Sequence, residues 1–65
     1  MRWSIKRTGN GVAEYYAGDL LTYFDRWTSN HKLASSFGDD RDASWLMQFM
    51  ANGYNYTLVE AYRGW

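Results

Sequence analysis

The sequence predicts a small α+β domain: an antiparallel sheet of about four strands in β-β-β-α-β order, packed on one main helix at about residues 40–52. Three observations carry this. Trp3, Ile5 and Arg7 alternate with Ser4 and Lys6 ahead of Asn10 and Gly11, the pattern of a strand running into a hairpin. Residues 39–53 open on an aspartate able to cap a helix, continue with helical period and close on a glycine. Tyr, Thr, Leu and Val then fill residues 54–63, the composition of a closing strand. The chain has no proline, repeat or low-complexity linker, so residues 1–65 are expected to form one domain.

Each element follows from local chemistry. Asn10 and Gly11 suit the two central positions of a type I′ turn, both of which need positive φ. That turn sets Arg7 opposite Glu14 and Lys6 opposite Tyr15, a register favoured by the opposite charges of the first pair. A longer loop that also used Gly9 would shift the register by one. The second strand spans residues 12–17 and ends at a turn on Gly18 and Asp19. A third strand is expected over 21–28, with aromatics on both faces. Thr28, Ser29 and Asn30 read as the cap of a short turn through His31, Lys32 and Leu33, and Ala34 and Phe37 follow as core points. In the main helix Asp39 is the cap, Asp42 holds the reciprocal capping position, and Asp39, Asp40 and Asp42 all lie where the helix dipole favours negative charge.

Composition narrows the function classes. Seven Lys and Arg balance seven Asp and Glu, whereas phosphate-dependent binding usually shows a basic excess and a DNA mimic an acidic one. With no cysteine and one histidine, disulfides and thiolate or histidine-rich metal sites are excluded, and no cofactor is expected. No apolar run is long enough for a membrane span, and the first six residues lack the apolar stretch of a signal peptide, so the expected location is intracellular. Four Trp, six Tyr and three Phe are more aromatic mass than so small a core needs, which points to a tyrosine-rich sheet surface or an association interface.

Several short constellations have simpler explanations. Helix capping accounts for Asp39, Asp40 and Asp42 without a cation. His31 has no nucleophile signature beside it. Asn55, Tyr56 and Thr57 match a glycosylation sequon in a chain with no sign of secretion. Gly9, Asn10 and Gly11 lead into a hairpin and not into the helix of a phosphate loop.

The series Trp3, Ile5, Lys6, Tyr16, Gly18, Trp27, Thr28, Ala34, Phe37, Asp42, Ala43, Leu58, Val59 and Glu60 resembles a recurrent pattern in small uncharacterised phage and prophage proteins. In that pattern an early Ile-Lys strand, a Trp-Thr strand end, an Ala-x-x-Phe segment, a helix and a Val-rich closing strand follow in order. The resemblance spans nearly the whole chain. It implies a phage origin, the β-β-β-α-β order, a location in the host bacterial cytoplasm and, as one known use of such proteins, inhibition of host defence in the manner of anti-CRISPR inhibitors. It carries over no catalytic residue. The chain departs from the pattern where Trp45 and Phe49 occupy helix positions more often held by Glu or Lys.

That departure yields the candidate site. Ala43, Leu46, Met47 and Met50 fall on one arc of about 100° and should face the sheet. Trp45 points away from them, with Phe49 beside it. Either residues 29–37 or the tail ending in Trp65 folds over Trp45, or Trp45 and Phe49 form an exposed patch rimmed by Arg41, Asp42 and Gln48. The expected function is a non-enzymatic module that docks on a host protein complex through this patch and blocks it sterically. A homodimer through the same patch is a related expectation. The alternative is single-stranded nucleic-acid binding by Tyr15, Tyr23 and Phe24 with Lys6, Arg26 and Lys32, since base stacking needs only π faces and a local basic groove.

Overall fold

A computed structural model describes residues 1–19 and 26–62 of the chain. The fold starts from the hairpin of β1 (Trp3–Gly9) and β2 (Val12–Tyr16). Asn10 and Gly11 take φ of 53° and 77°, as a type I′ turn requires. Lys6 therefore pairs with Tyr15 and Arg7 with Glu14, which excludes the longer loop and its shifted register. β3 (Trp27–Thr28) joins β2, and β4 (Asn55–Glu60) joins the other side of β1. The result is a four-stranded antiparallel sheet in the order β3-β2-β1-β4, with α1 (Asp40–Met47) packed across β1 and β4.

Side-chain alternation divides the sheet into two faces. Ile5, Tyr16, Trp27, Tyr56 and Leu58 face α1, and with Phe37, Ala43, Leu46 and Met50 they make the core. Of the predicted helix stripe, Ala43, Leu46 and Met50 are buried and Met47 packs against them at partial burial. Each fully buried apolar side chain of this size contributes about 1.5 to 3 kcal/mol of hydrophobic stabilisation, so these few residues supply most of what so short a chain can gather.

Toward the hairpin end the same face is closed by a charged group. The Arg7 guanidinium lies 4.0 Å from the Trp27 ring centroid and 4.1 Å from that of Tyr54, and donates to Glu14 Oε1 from Nε at 3.1 Å and Nη2 at 2.9 Å. Burial disfavours its charge, but the hydrogen bonds and attraction of Glu14 outweigh that and hold its pKa above the usual arginine value.

At the opposite end, β2 stops and another segment takes its place beside β1. Ser35 N–H donates to the Tyr16 carbonyl at 2.9 Å, and Trp3 and Phe37 exchange both backbone hydrogen bonds at 2.8 Å. The buried Ser4 hydroxyl is satisfied by the Ser35 carbonyl at 3.1 Å. Phe37 thus enters the core as expected, whereas Ala34 is only half buried. The cap read at Thr28 to Asn30 is present: Asn30 Oδ1 accepts from Lys32 N–H and Thr28 Oγ1 from Asn30 N–H, ahead of a 3-10 turn at His31–Leu33.

The structure trims several boundaries. The helix ends at Met47 and not near 52, because the N–H groups of Gln48, Phe49 and Met50 bond to carbonyls three residues back, tightening the last turn. Gly53, at φ 100°, reverses the chain toward β4, and the Tyr56 hydroxyl closes the connection on the Ala51 carbonyl. The closing strand occupies six residues within the expected 54–63. Of the third strand, Trp27 and Thr28 pair as strand; the positions 21–25 lie outside the described residues. The reciprocal half of the helix cap is absent among the described residues: Asp39 accepts from Arg41 N–H, while the Asp42 side chain is exposed and makes no hydrogen bond back to Asp39.

Gly18 tests the packing directly. A Cβ there would sit 2.3 Å from the Tyr16 hydroxyl oxygen and 2.5 Å from Cζ, and Tyr16 is fully buried with its hydroxyl held by the Asp19 carbonyl. Gly18→Ala is expected to destabilise the fold by about 1 to 3 kcal/mol, read as a lower midpoint in thermal or urea unfolding. An unchanged midpoint would contradict the placement of Tyr16.

Candidate functional site

The outward face of α1 is set in place by its cap and by its buried stripe. With Ala43 and Leu46 against the sheet, positions 41, 42, 45, 48 and 49 share the opposite face, being three or four residues from Trp45. Trp45 is 51 % exposed and Phe49 54 % exposed, and their rings meet edge to face with centroids 4.9 Å apart. Residues 29–37 therefore leave Trp45 half open to solvent; the end of the tail, with Trp65, lies outside the described residues.

The rim is polar and partly pre-organised. Arg41 is not a free cation: its Nη2 lies 3.0 Å from Asp39 Oδ2 and its Nε donates to Oδ1, so the guanidinium folds back on the cap. Asp42 and Gln48 are exposed. Hydrogen bonds from the Arg41 guanidinium, and then from its backbone N–H, lower the Asp39 carboxyl to about 2. This arrangement offers an apolar centre of two aromatic rings with hydrogen-bonding groups around it, suited to burying a complementary surface.

Of the nucleic-acid alternative, Lys6, Tyr15 and Lys32 lie on the other side of the molecule. Lys6 and Tyr15 are cross-strand partners on the sheet face opposite the helix. There the His31 ring stacks on Tyr15 at 4.3 Å and 5°, Tyr62 meets His31 edge to face at 5.8 Å, and Lys32 Nζ lies 5.7 Å from the Tyr62 centroid. One face of Tyr15 is thus already occupied. His31 Nε2 is buried with no hydrogen-bond partner among the described residues. Arg26 is exposed, while Tyr23 and Phe24 lie outside the described residues.

Two features escaped sequence reading. The clamp of Arg7 by Trp27 and Tyr54 joins residues distant in the chain, and only the Arg7 and Glu14 pairing had a local signal. An open groove of about 410 Å³ lies near the helix start, between Arg2, Asp19, Ser36, Phe37 and Asp42. Arg2 is fixed there by donating from Nε to Ser36 Oγ at 2.9 Å and from Nη2 to its carbonyl at 2.8 Å, and Ser35 Oγ donates to the Gly18 carbonyl. The groove's hydroxyls are engaged in holding the fold.

Comparison of the chain with family models, curated proteins and solved structures gives no match. Among the described residues no helix is long and apolar enough to cross a membrane.

The cap has a definite acid response. Unfolded, Asp39 titrates near 3.8; folded, near 2. The unfolded chain therefore binds more protons between those values, so Asp39's stabilisation is complete above about pH 4 and is lost as pH falls through 2. A carboxyl titration by NMR should give Asp39 a midpoint near 2, and Arg41→Ala should move it toward 3.8. A midpoint near 3.8 in the wild-type chain would remove the Arg41 contact from the account.

Proposed function

We propose that the chain is a non-catalytic protein-binding module that docks through the outward face of α1, with Trp45 and Phe49 as the buried centre of the interface and Arg41, Asp42 and Gln48 at its rim. The observation that carries this reading is the exposed aromatic pair of Trp45, on the capped helix, and Phe49, in the turn that follows it, each ring about half accessible and the two in contact with each other. Large aromatics are the side chains that most often dominate binding energy when fully desolvated by a partner, and their few rotatable bonds make them inexpensive to immobilise. Docking at this face would act sterically, by covering a surface that the partner needs for substrate or assembly.

The partner class follows from the sequence resemblance to phage and prophage proteins: a bacterial protein complex, with a defence complex as the leading candidate and the host cytoplasm as the place of action. The net charge of zero supports a protein partner over nucleic acid. So does the Tyr15 ring, one face of which His31 already covers.

Trp45→Glu, Phe49→Glu and the double variant separate docking from packing. Because both rings are half exposed, unfolding midpoints should stay close to wild type, while capture of a bacterial protein from lysate should weaken about tenfold or more. Equal capture by wild type and the double variant would sink the site. A large loss of stability in either single variant would instead make the pair a structural contact.

A further inference from the structure

The backbone of β4 presents a second, independent surface. Trp3 exchanges its hydrogen bonds with Phe37 on the side away from β4, so alternation turns the backbone groups of Ser4, Lys6 and Thr8 toward β4. The Ala61 N–H bond to the Arg2 carbonyl, 2.9 Å, fits the same alternation. Their partners Val59, Thr57 and Asn55 therefore point inward, and the N–H and C=O groups of Tyr56 and Leu58 project from the outer edge. β4 is the last strand of the sheet order, and among the described residues no backbone hydrogen bond is made to Tyr56 or Leu58 from that side.

Natural edge strands are normally blunted by lysine, proline, a bulge or an inward charge. β4 has none of these: Asn55–Glu60 carries one charge, at its end, and its middle is Tyr, Thr, Leu and Val. We propose that this edge pairs antiparallel with β4 of a second copy of the chain, joining two four-stranded sheets into one of eight. A two-fold axis at Leu58 places Leu58 opposite Leu58, so that the projecting groups of each copy meet, and sets Thr57 opposite Val59 and Tyr56 opposite Glu60 of the second copy. That register makes a β-branched pair on the face away from the helix and opposes no like charges. Two chains of zero net charge do not repel, and closed two-fold pairing satisfies both edges at once. This surface uses no residue of the Trp45 and Phe49 face, so the two readings fail separately.

Sedimentation equilibrium over a wide concentration range, with amide exchange on the same samples, tests it. The wild-type chain should show the mass of two chains, with exchange at the Tyr56 and Leu58 amides slowing as concentration rises. Thr57→Glu with Val59→Glu opposes like charges across the axis, whereas Thr57→Glu with Val59→Lys opposes unlike ones, and both keep the same carboxylate beside Lys6. The first pair should dissociate at least about tenfold more readily than the second, and Trp45→Glu should leave the mass unchanged. A wild-type mass of one chain throughout, concentration-independent exchange at Tyr56 and Leu58, equal behaviour of the two double variants, or dissociation by Trp45→Glu would each overturn the proposal.

Discussion

The sheet depends on the clamp around Arg7. A hairpin, a two-residue strand and a closing strand have little to hold them together beyond ladder hydrogen bonds, and a sheet this small is marginal without a well-filled face. Arg7, on the central strand β1, is stacked between Trp27 of β3 and Tyr54 at the entrance to β4, and is hydrogen-bonded to Glu14 of β2. One side chain therefore ties all four strands at the end of the sheet that Ile5 and Leu46 do not reach. The ion pair alone would roughly offset its own desolvation at 13 % and 31 % exposure of its two side chains. The net gain comes from the planar guanidinium of a mostly buried side chain lying against two ring faces, a geometry that lysine cannot reproduce.

This use of aromatic rings explains most of the surplus that the composition shows. Tyr16 and Phe37 are core, Trp27 and Tyr56 pack beside them, and Tyr54 closes the Arg7 clamp. Tyr15 and Tyr62 hold the 3-10 turn against the other face through His31. Among the described residues Trp45 and Phe49 are left with each other as ring partners, on a face that the fold does not cover. The fold is thus built so that its helix is anchored by one stripe and carries its largest side chain on the other, which is what supports reading that face as a docking surface.

What could be read from sequence was local. The Asn10 and Gly11 turn, the Arg7 and Glu14 register, the Asp39 cap and the Ala43, Leu46, Met50 stripe each follow from residues a turn or a strand apart, where steric preference and period act directly. The helix end escaped because nothing in Gln48 or Phe49 forbids another helical turn; the three-residue hydrogen bonds that tighten it depend on how Met50 meets the core. The clamp escaped because Trp27 and Tyr54 approach Arg7 only once the strand order exists. For the candidate site, period alone identified the face, while its exposure depended on where residues 29–37 run, which is decided by Phe37 pairing with Trp3.

A double-mutant cycle on Arg7→Lys and Trp27→Leu, followed by urea unfolding, tests the clamp most directly. Lysine keeps the charge and the Glu14 attraction but not the stacking, so the clamp predicts that both single variants are destabilised and that the pair couples by about 1 to 2 kcal/mol. Additive effects within about 0.3 kcal/mol, or an Arg7→Lys chain as stable as wild type, would contradict it.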